Sequence, residues 1–449
     1  MATILVAQAA TDLDLTSLNA STTCNDTCKD LVLRVSSWEK SQSASNFSFY
    51  EVPTNFSETM EPGIVLSLER TTNLTNYTVP TPLTMSRMMY TTEDLNGTII
   101  PASAYILWPS SPLEVPDPDS SSSTHLPLVA WAHGTSGGLA PCAPSNYRNL
   151  QYHFQVPYLL ALQGYVVVAP DYAGLGVAKL PNGDNIGHPW AAAPAHANDV
   201  ANAIIAARNA FPEYLRPVGP FAAMGHSQGA AATRKAIEDH EANKTQLWTN
   251  TFLSLQPSLA KGITAAYPAF NLSGLTDAGR DRWVNVQEAV QGCLPTKGVS
   301  GLGIPLGQLV YHNWTEQPAV LDFEKRTAVG RNPFKGPLLI AAGDKDSVVD
   351  FKNMEVNVRD TCGMLQGAGV QESLEFLEYT GQNHFPVIQA SQGKWLGWIR
   401  DRIFSTANVS YGCKFGTVRG FQREEAINSV FPNFLVEVAG PGEGWKYSL

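Results

Sequence analysis

The chain has 449 residues, enough for two or three domains or for one large α/β domain. Hydrophobic residues make up 44% of it and charged residues 16%, a globular balance that excludes global disorder. Lys and Arg number 30 against 40 Asp and Glu, so the net charge of −10 argues against a nucleic-acid binder, and no apolar run approaches the ~20 residues of a membrane span.

The first residues, Met1 to Ala9, hold a short apolar run with an Ala-x-Ala end and resemble the tail of a signal peptide without its basic front. Residues 1–60 read as a polar, Asn/Ser/Thr-rich, glycosylated N-terminal extension. Strand character follows in Gly63–Thr72 and Met85–Thr92. Asn96-Gly97 is a hairpin turn, and Ile99–Leu107 returns as a further strand. Pro116–Thr124 reads as a surface loop. From residue 125 the pattern changes to apolar runs alternating with helices. Leu126–Trp131, Tyr165–Ala169, Phe221–Met224, Leu338–Ala342 and Leu374–Tyr379 read as strands, the last of these closing the series. Ala195–Phe211 places Val200, Ala203, Ile204 and Ala207 at helical spacing. Such alternation predicts an α/β fold with a mainly parallel sheet covered on both faces. Residues 272–332 break it with Gly, Pro and Trp and read as a cap inserted over the end of the sheet. That divides the rest into 61–271 and 333–449, two parts of one core.

Two features point to a secretory route. Eleven Asn residues stand in N-x-Ser/Thr sequons: Asn19, Asn25, Asn46, Asn55, Asn73, Asn76, Asn96, Asn243, Asn271, Asn313 and Asn408. Chance at this composition predicts roughly four. The six Cys are an even set, Cys24, Cys28, Cys142, Cys293, Cys362 and Cys413, which in a secreted chain favours disulfides. Zinc is the rival use of the thiols, but CxxC pairs are missing and His does not cluster with Cys.

In a parallel sheet, chemistry gathers at the carboxyl ends of the strands. Gly225-His226-Ser227-Gln228-Gly229 stands at one such end and fits G-x-S-x-G. The two glycines permit a tight strand-to-helix turn that lifts the Ser227 hydroxyl into the open, and the helix-forming run Ala230–Ala242 follows. A second match, around Ser136, has Gly-Gly-Leu-Ala-Pro after it and no helix, so Ser136 is a poor nucleophile. His133-Gly134-Thr135 reads better as a loop of backbone donors for an oxyanion, with Thr135, or else Gly134, supplying one N–H and Gln228 the second. A serine nucleophile on this fold needs a carboxylate and then a histidine downstream. His384, in a turn-rich loop after the last strand, is favoured over His312, which falls within the cap. Asp346, further along its loop than Asp344, is favoured as the carboxylate that orients the imidazole. Asp171 and His188-Pro189-Trp190 read as turn and pocket residues, and His226 as packing beside the nucleophile.

With these residues in place the chain resembles the secretory lipase family of α/β-hydrolases, the Candida antarctica lipase A-like group. The likeness runs from about residue 60 to 400. It is carried by Tyr90-Thr91-Thr92 with Gly97, His133-Gly134-Thr135 with Cys142-Ala143-Pro144-Ser145, Asp171-Tyr172-Ala173-Gly174-Leu175-Gly176, His188-Pro189 and the Ser227 motif. The resemblance implies Ser227, Asp346 and His384 as a triad and a helical cap before the Asp strand. It also implies disulfides Cys142–Cys293 and Cys362–Cys413, leaving Cys24–Cys28. Ala230 departs from the family, where many members carry another Gly. The expected activity is hydrolysis of a small-molecule or lipid ester through an acyl-enzyme, with no metal or organic cofactor needed. An acyltransferase, a serine peptidase or a non-catalytic binding protein on the same fold are the rivals.

Overall fold

The computed structural model describes residues 13–117, 120–238, 256–369, 371–423, 426, 440 and 442–448. Met1 to Ala9, Asn243 and the end of the helix expected over 230–242 lie outside the described residues. The strands are β1 (Val65–Glu69), β2 (Leu83–Glu93), β3 (Ile99–Pro109), β4 (Val115–Asp117), β5 (Ser120–His125), β6 (Leu128–Ala132), β7 (Val166–Pro170), β8 (Phe221–Gly225), β9 (Leu338–Gly343), β10 (Ser373–Tyr379) and β11 (Gly412–Val418).

Among the described residues one sheet has the order β1-β2-β3-β7-β6-β8 and a second has the order β11-β10-β9. Pairing is antiparallel from β1 through β3 to β7, then parallel across β7, β6 and β8 and throughout β9–β11. The α/β expectation is met, with an antiparallel margin contributed by β1–β3. The Asn96-Gly97 turn joins β2 to β3, and Gly97 takes φ 81° there.

The strands β6 and β7 show why their apolar runs are continuous. Leu128, Ala130, Val166 and Val168 face a core that includes Val200, Ala203, Ile204 and Ala207 of the helix Ala193–Ala210. Val129, Trp131, Val167 and Ala169 face the opposite core, with Tyr158, Trp395 and Ile399. A period of two buried on both sides leaves no position for a polar residue. Each fully buried Val contributes about 1.5–3 kcal/mol by leaving water.

Three stretches carry structure that the sequence reading leaves out. Pro116–Thr124 is no plain loop, since β4 and β5 pair across it as a short hairpin, and its serine run carries no apolar alternation in sequence to reveal this. A further strand, β11, follows β10, where the sequence series ends, and pairs parallel with it. It is an exposed edge strand with two glycines, so it lacks the apolar signal, and the Cys362–Cys413 disulfide ties it to the helix Phe351–Gly367. Within residues 13–60 the helix Asp26–Ser41 is capped by Asn25 and packs Val32 and Val35 against Val286, Val290 and Val299.

Helices Gln256–Ala266, Asp277–Asp281, Leu294–Ser300 and Pro318–Thr327 make a helical layer with its own core of Leu259, Ile263, Leu275, Trp283, Trp314 and Phe323. Trp190 from the loop before Ala193–Ala210 enters that core, so the layer is joined to the sheet's carboxyl edge. The N-terminal segment clamps it from outside. Glu39 accepts hydrogen bonds from Cys293 N, Thr296 N and Thr296 Oγ1 at 3.0, 2.8 and 2.8 Å. Arg282 donates to Thr23 O and Ser300 O at 2.7 and 2.6 Å.

All six cysteines are paired, as Cys24–Cys28, Cys142–Cys293 and Cys362–Cys413, so the zinc reading loses its thiolates.

Candidate active site

Ser227 lies between the end of β8 and the helix Gln228–Lys235, with φ 55° and ψ −120°. Such a backbone is sparsely populated for a residue with a Cβ and persists only where the surroundings enforce it. The two glycines show how they do. A Cβ on Gly225 would stand 2.1 Å from Gly229 O, and one on Gly229 would stand 1.9 Å from Ala132 O. Strand, turn and helix therefore meet backbone to backbone, and the serine is left at the apex, half-buried.

The loop after β9 and the loop after β10 are stitched together beside it. Asn383 Oδ1 accepts from Ser347 N and His384 N at 2.9 and 2.7 Å. Asp344, the alternative carboxylate, accepts from Gly381 N at 2.6 Å and so bridges the two loops. Asp346 instead faces the imidazole: His384 Nδ1 donates to Asp346 Oδ2 at 2.8 Å. Its other oxygen accepts from Val348 N and Val349 N, each at 2.8 Å. Burial raises the Asp346 pKa, but the hydrogen bond and charge of His384 and the two backbone donors outweigh it, and the carboxyl lies below its usual range. His312 is exposed and lies in the helical layer.

His226 ties the serine turn to the histidine loop. Its Nε2 donates to the His384 carbonyl at 2.9 Å, and its Nδ1 accepts from Tyr152 OH at 2.8 Å. The His226 and His384 rings lie 4.5 Å apart. Burial, then the neighbouring His384, lowers the His226 pKa to about 3, so it stays a neutral ring with one fixed tautomer. The His226 contacts thus bring the loop that carries His384, and with it Asp346, against the turn that carries Ser227. Among the described residues Ser227 Oγ makes no hydrogen bond to His384, a contact that often tightens only with substrate bound.

Two backbone donors are open in the same place. Among the described residues neither Thr135 N nor Gln228 N gives its proton to a protein acceptor. Their side chains are joined: Trp190 Nε1 donates to Thr135 Oγ1 at 3.0 Å, and Thr135 Oγ1 donates to Gln228 Oε1 at 3.3 Å. Gln228 Nε2 donates in turn to His196 Nε2 at 2.9 Å and His188 Nε2 at 3.3 Å. Burial lowers the His196 pKa to about 3, which keeps that nitrogen an acceptor. Gly134 lies under Tyr152, whose hydroxyl a Cβ there would meet at 2.1 Å. Ser136 is buried, with its Oγ unpartnered.

Asp171 is a structural anchor. It accepts from Ser103 Oγ, Ser145 Oγ and Ser145 N at 2.7, 2.6 and 2.8 Å, and burial raises its pKa to about 6. Tyr152 and His196 carry no motif of their own, so the sequence gives no signal for them. His226 was readable only through its place beside Ser227.

The whole architecture is similar to that of Candida antarctica lipase A, with a TM-score of 0.63 at 17% identity over 82% of this chain and 89% of that one. The closed state of that lipase gives 0.61 at 17% identity, over 81% and 87%. The fold is that of an α/β-hydrolase. The rice cell wall degrading esterase LipA from Xanthomonas oryzae is also similar, with a TM-score of 0.54 at 17% identity over 78% of this chain and 100% of that one. No protein-family model matches the sequence, and no curated protein matches it. The α/β-hydrolase fold expected from the motif order is therefore present at low sequence identity.

Proposed function

We propose that this chain is a secreted serine carboxylic-ester hydrolase of the lipase or esterase kind. The observation that carries the reading is an imidazole tied through Nδ1 to a buried carboxylate, beside a serine held at φ 55° on a strand-to-helix turn.

With Nδ1–H committed to Asp346, His384 Nε2 is the free base. It takes the Ser227 proton as Oγ attacks the ester carbonyl. The open N–H groups of Thr135 and Gln228 receive the oxyanion. His384 then gives its proton to the leaving alkoxide. In the second half it deprotonates water, which attacks the acyl-enzyme and restores Ser227. Asp346 holds the tautomer and stabilises the imidazolium throughout. These steps need neither metal nor organic cofactor.

The extracellular part of the reading is supported by three disulfides and by the sequons. All ten sequon asparagines among the described residues are exposed, as a glycan requires. No described helix is long and apolar enough to cross a membrane.

The test is hydrolysis of p-nitrophenyl esters by the wild type and by Ser227→Ala. Turnover falls by about 10⁴-fold or more in the variant while its melting temperature is kept. Undiminished turnover removes Ser227 from the role. An acyl series from acetate to palmitate separates lipase from small-ester esterase.

A further inference from the structure

Beside the oxyanion loop lies a narrow cleft, part of it open to solvent. Thr135, Trp190, Lys261, Trp283, Gln287 and Lys297 are among its walls. Two of these present polar atoms that nothing satisfies. Lys297 Nζ is sealed from solvent and has no hydrogen-bond partner, and it lies 5.6 Å from the centroid of the Trp190 ring. Gln287 has its Nε2 committed to the carbonyls of Gly292 and Cys293, and its Oε1 is unpartnered.

The carboxylate beside the cleft wall is already spoken for. Glu288 Oε1 accepts from Lys261 Nζ and from Trp283 Nε1, each at 2.8 Å. An ammonium with three donors, no acceptor and one indole face is costly unless something brings it an anion. Burial lowers its pKa to about 7, the same cost seen from the side of the proton.

We propose that the substrate is an ester carrying a free carboxylate, and that Lys297 receives that carboxylate in the cleft beside Thr135. This rests on the hydrolase reading, because Thr135 is the oxyanion donor that fixes where the reacting carbonyl sits. The carboxylate accepts from Lys297 Nζ in a charge-assisted hydrogen bond, strengthened by the drying of the cleft. Gln287 Oε1 adds a neutral acceptor in the same wall, which a hydroxyl or a water held by the carboxylate satisfies.

The experiment compares mono-p-nitrophenyl suberate with its methyl ester at pH 6, where Lys297 is charged. The wild type prefers the free acid by about tenfold or more in kcat/KM. In Lys297→Met the ratio of the two values falls to about one, and Lys297→Arg keeps part of the preference. Suberate itself raises the melting temperature of the wild type and does not raise that of Lys297→Met. A wild type without the preference, or a Lys297→Met enzyme that retains it, overturns the proposal. If neither ester is turned over but suberate stabilises the wild type alone, the carboxylate site stands and the hydrolase reading falls. If suberate stabilises neither protein and neither ester reacts, both are overturned.

Discussion

The floor and the roof of the site are built by different physics. The floor is made of strand ends and the turns that follow them, and backbone contact decides its sequence. Gly225 and Gly229 are dictated by carbonyls about 2 Å from where a Cβ would be. The roof is the helical layer around Trp283 and Leu294–Ser300, held by groups from distant segments. Glu39 grips Cys293 and Thr296, and Arg282 grips Thr23. A steric rule leaves a motif, whereas a long-range polar clamp leaves none.

The largest expected effects break the floor. Gly229→Ala puts a methyl 1.9 Å from Ala132 O and 2.7 Å from His133 O, both main-chain atoms of the adjoining strand end and loop. The cost is several kcal/mol, and the variant is expected to lose soluble folded protein on size-exclusion chromatography. Asp346→Asn keeps the shape but cannot hold the imidazole in the required tautomer. Ester turnover is expected to fall on the order of 10³ to 10⁴-fold in kcat, with the melting temperature changing little. A drop smaller than tenfold hands the role to Asp344, which Asp344→Asn then checks.

The next effect loosens the roof by pH. Burial raises the Glu39 pKa from 4.5 to about 7. Between those values the folded chain holds a proton that the unfolded chain has released. Stability from this group is therefore full below pH 4.5 and is lost as pH rises through 7, by on the order of 3 kcal/mol. Urea unfolding of the wild type and Glu39→Gln at pH 5 and pH 8 reads the difference. The wild type is expected to lose stability relative to the variant between the two pH values, and parallel curves would show that Glu39 does not titrate in that window.

The same contrast explains what the sequence revealed. The strands β6 and β7 were legible because both of their faces are buried, and β8–β10 because each is a short apolar run that ends at a turn residue. Ser227 was legible through its glycines, and Asp346 and His384 through chain order and position after strands. The edge strand β11 escaped because its residues are mostly exposed and need no apolar pattern. The helix Asp26–Ser41 escaped because it buries only Val32, Val35, Ser36 and Glu39, too few to stand out from a polar, sequon-rich stretch. Tyr152, His196 and Lys297 escaped for a third reason. Their surroundings come from segments far apart in the chain, and a lone polar residue carries no spacing to read.

The smallest prediction sharpens the contrast with one residue type. Gly298 lies in the roof helix Leu294–Ser300, exposed, without a positive φ, and with nothing within 4 Å of where its Cβ would be. No close approach or special backbone requires glycine there, so what remains is its greater conformational freedom in the unfolded chain. Gly298→Ala is therefore expected to stabilise the protein by about 0.5–1 kcal/mol in urea unfolding, with ester turnover unchanged. The same substitution at Gly229 carries the opposite sign, because there the methyl meets main chain before any entropy is gained. If Gly298→Ala destabilised the protein as Gly229→Ala does, roof and floor would share one constraint, and the division between steric turns and polar clamps would fail.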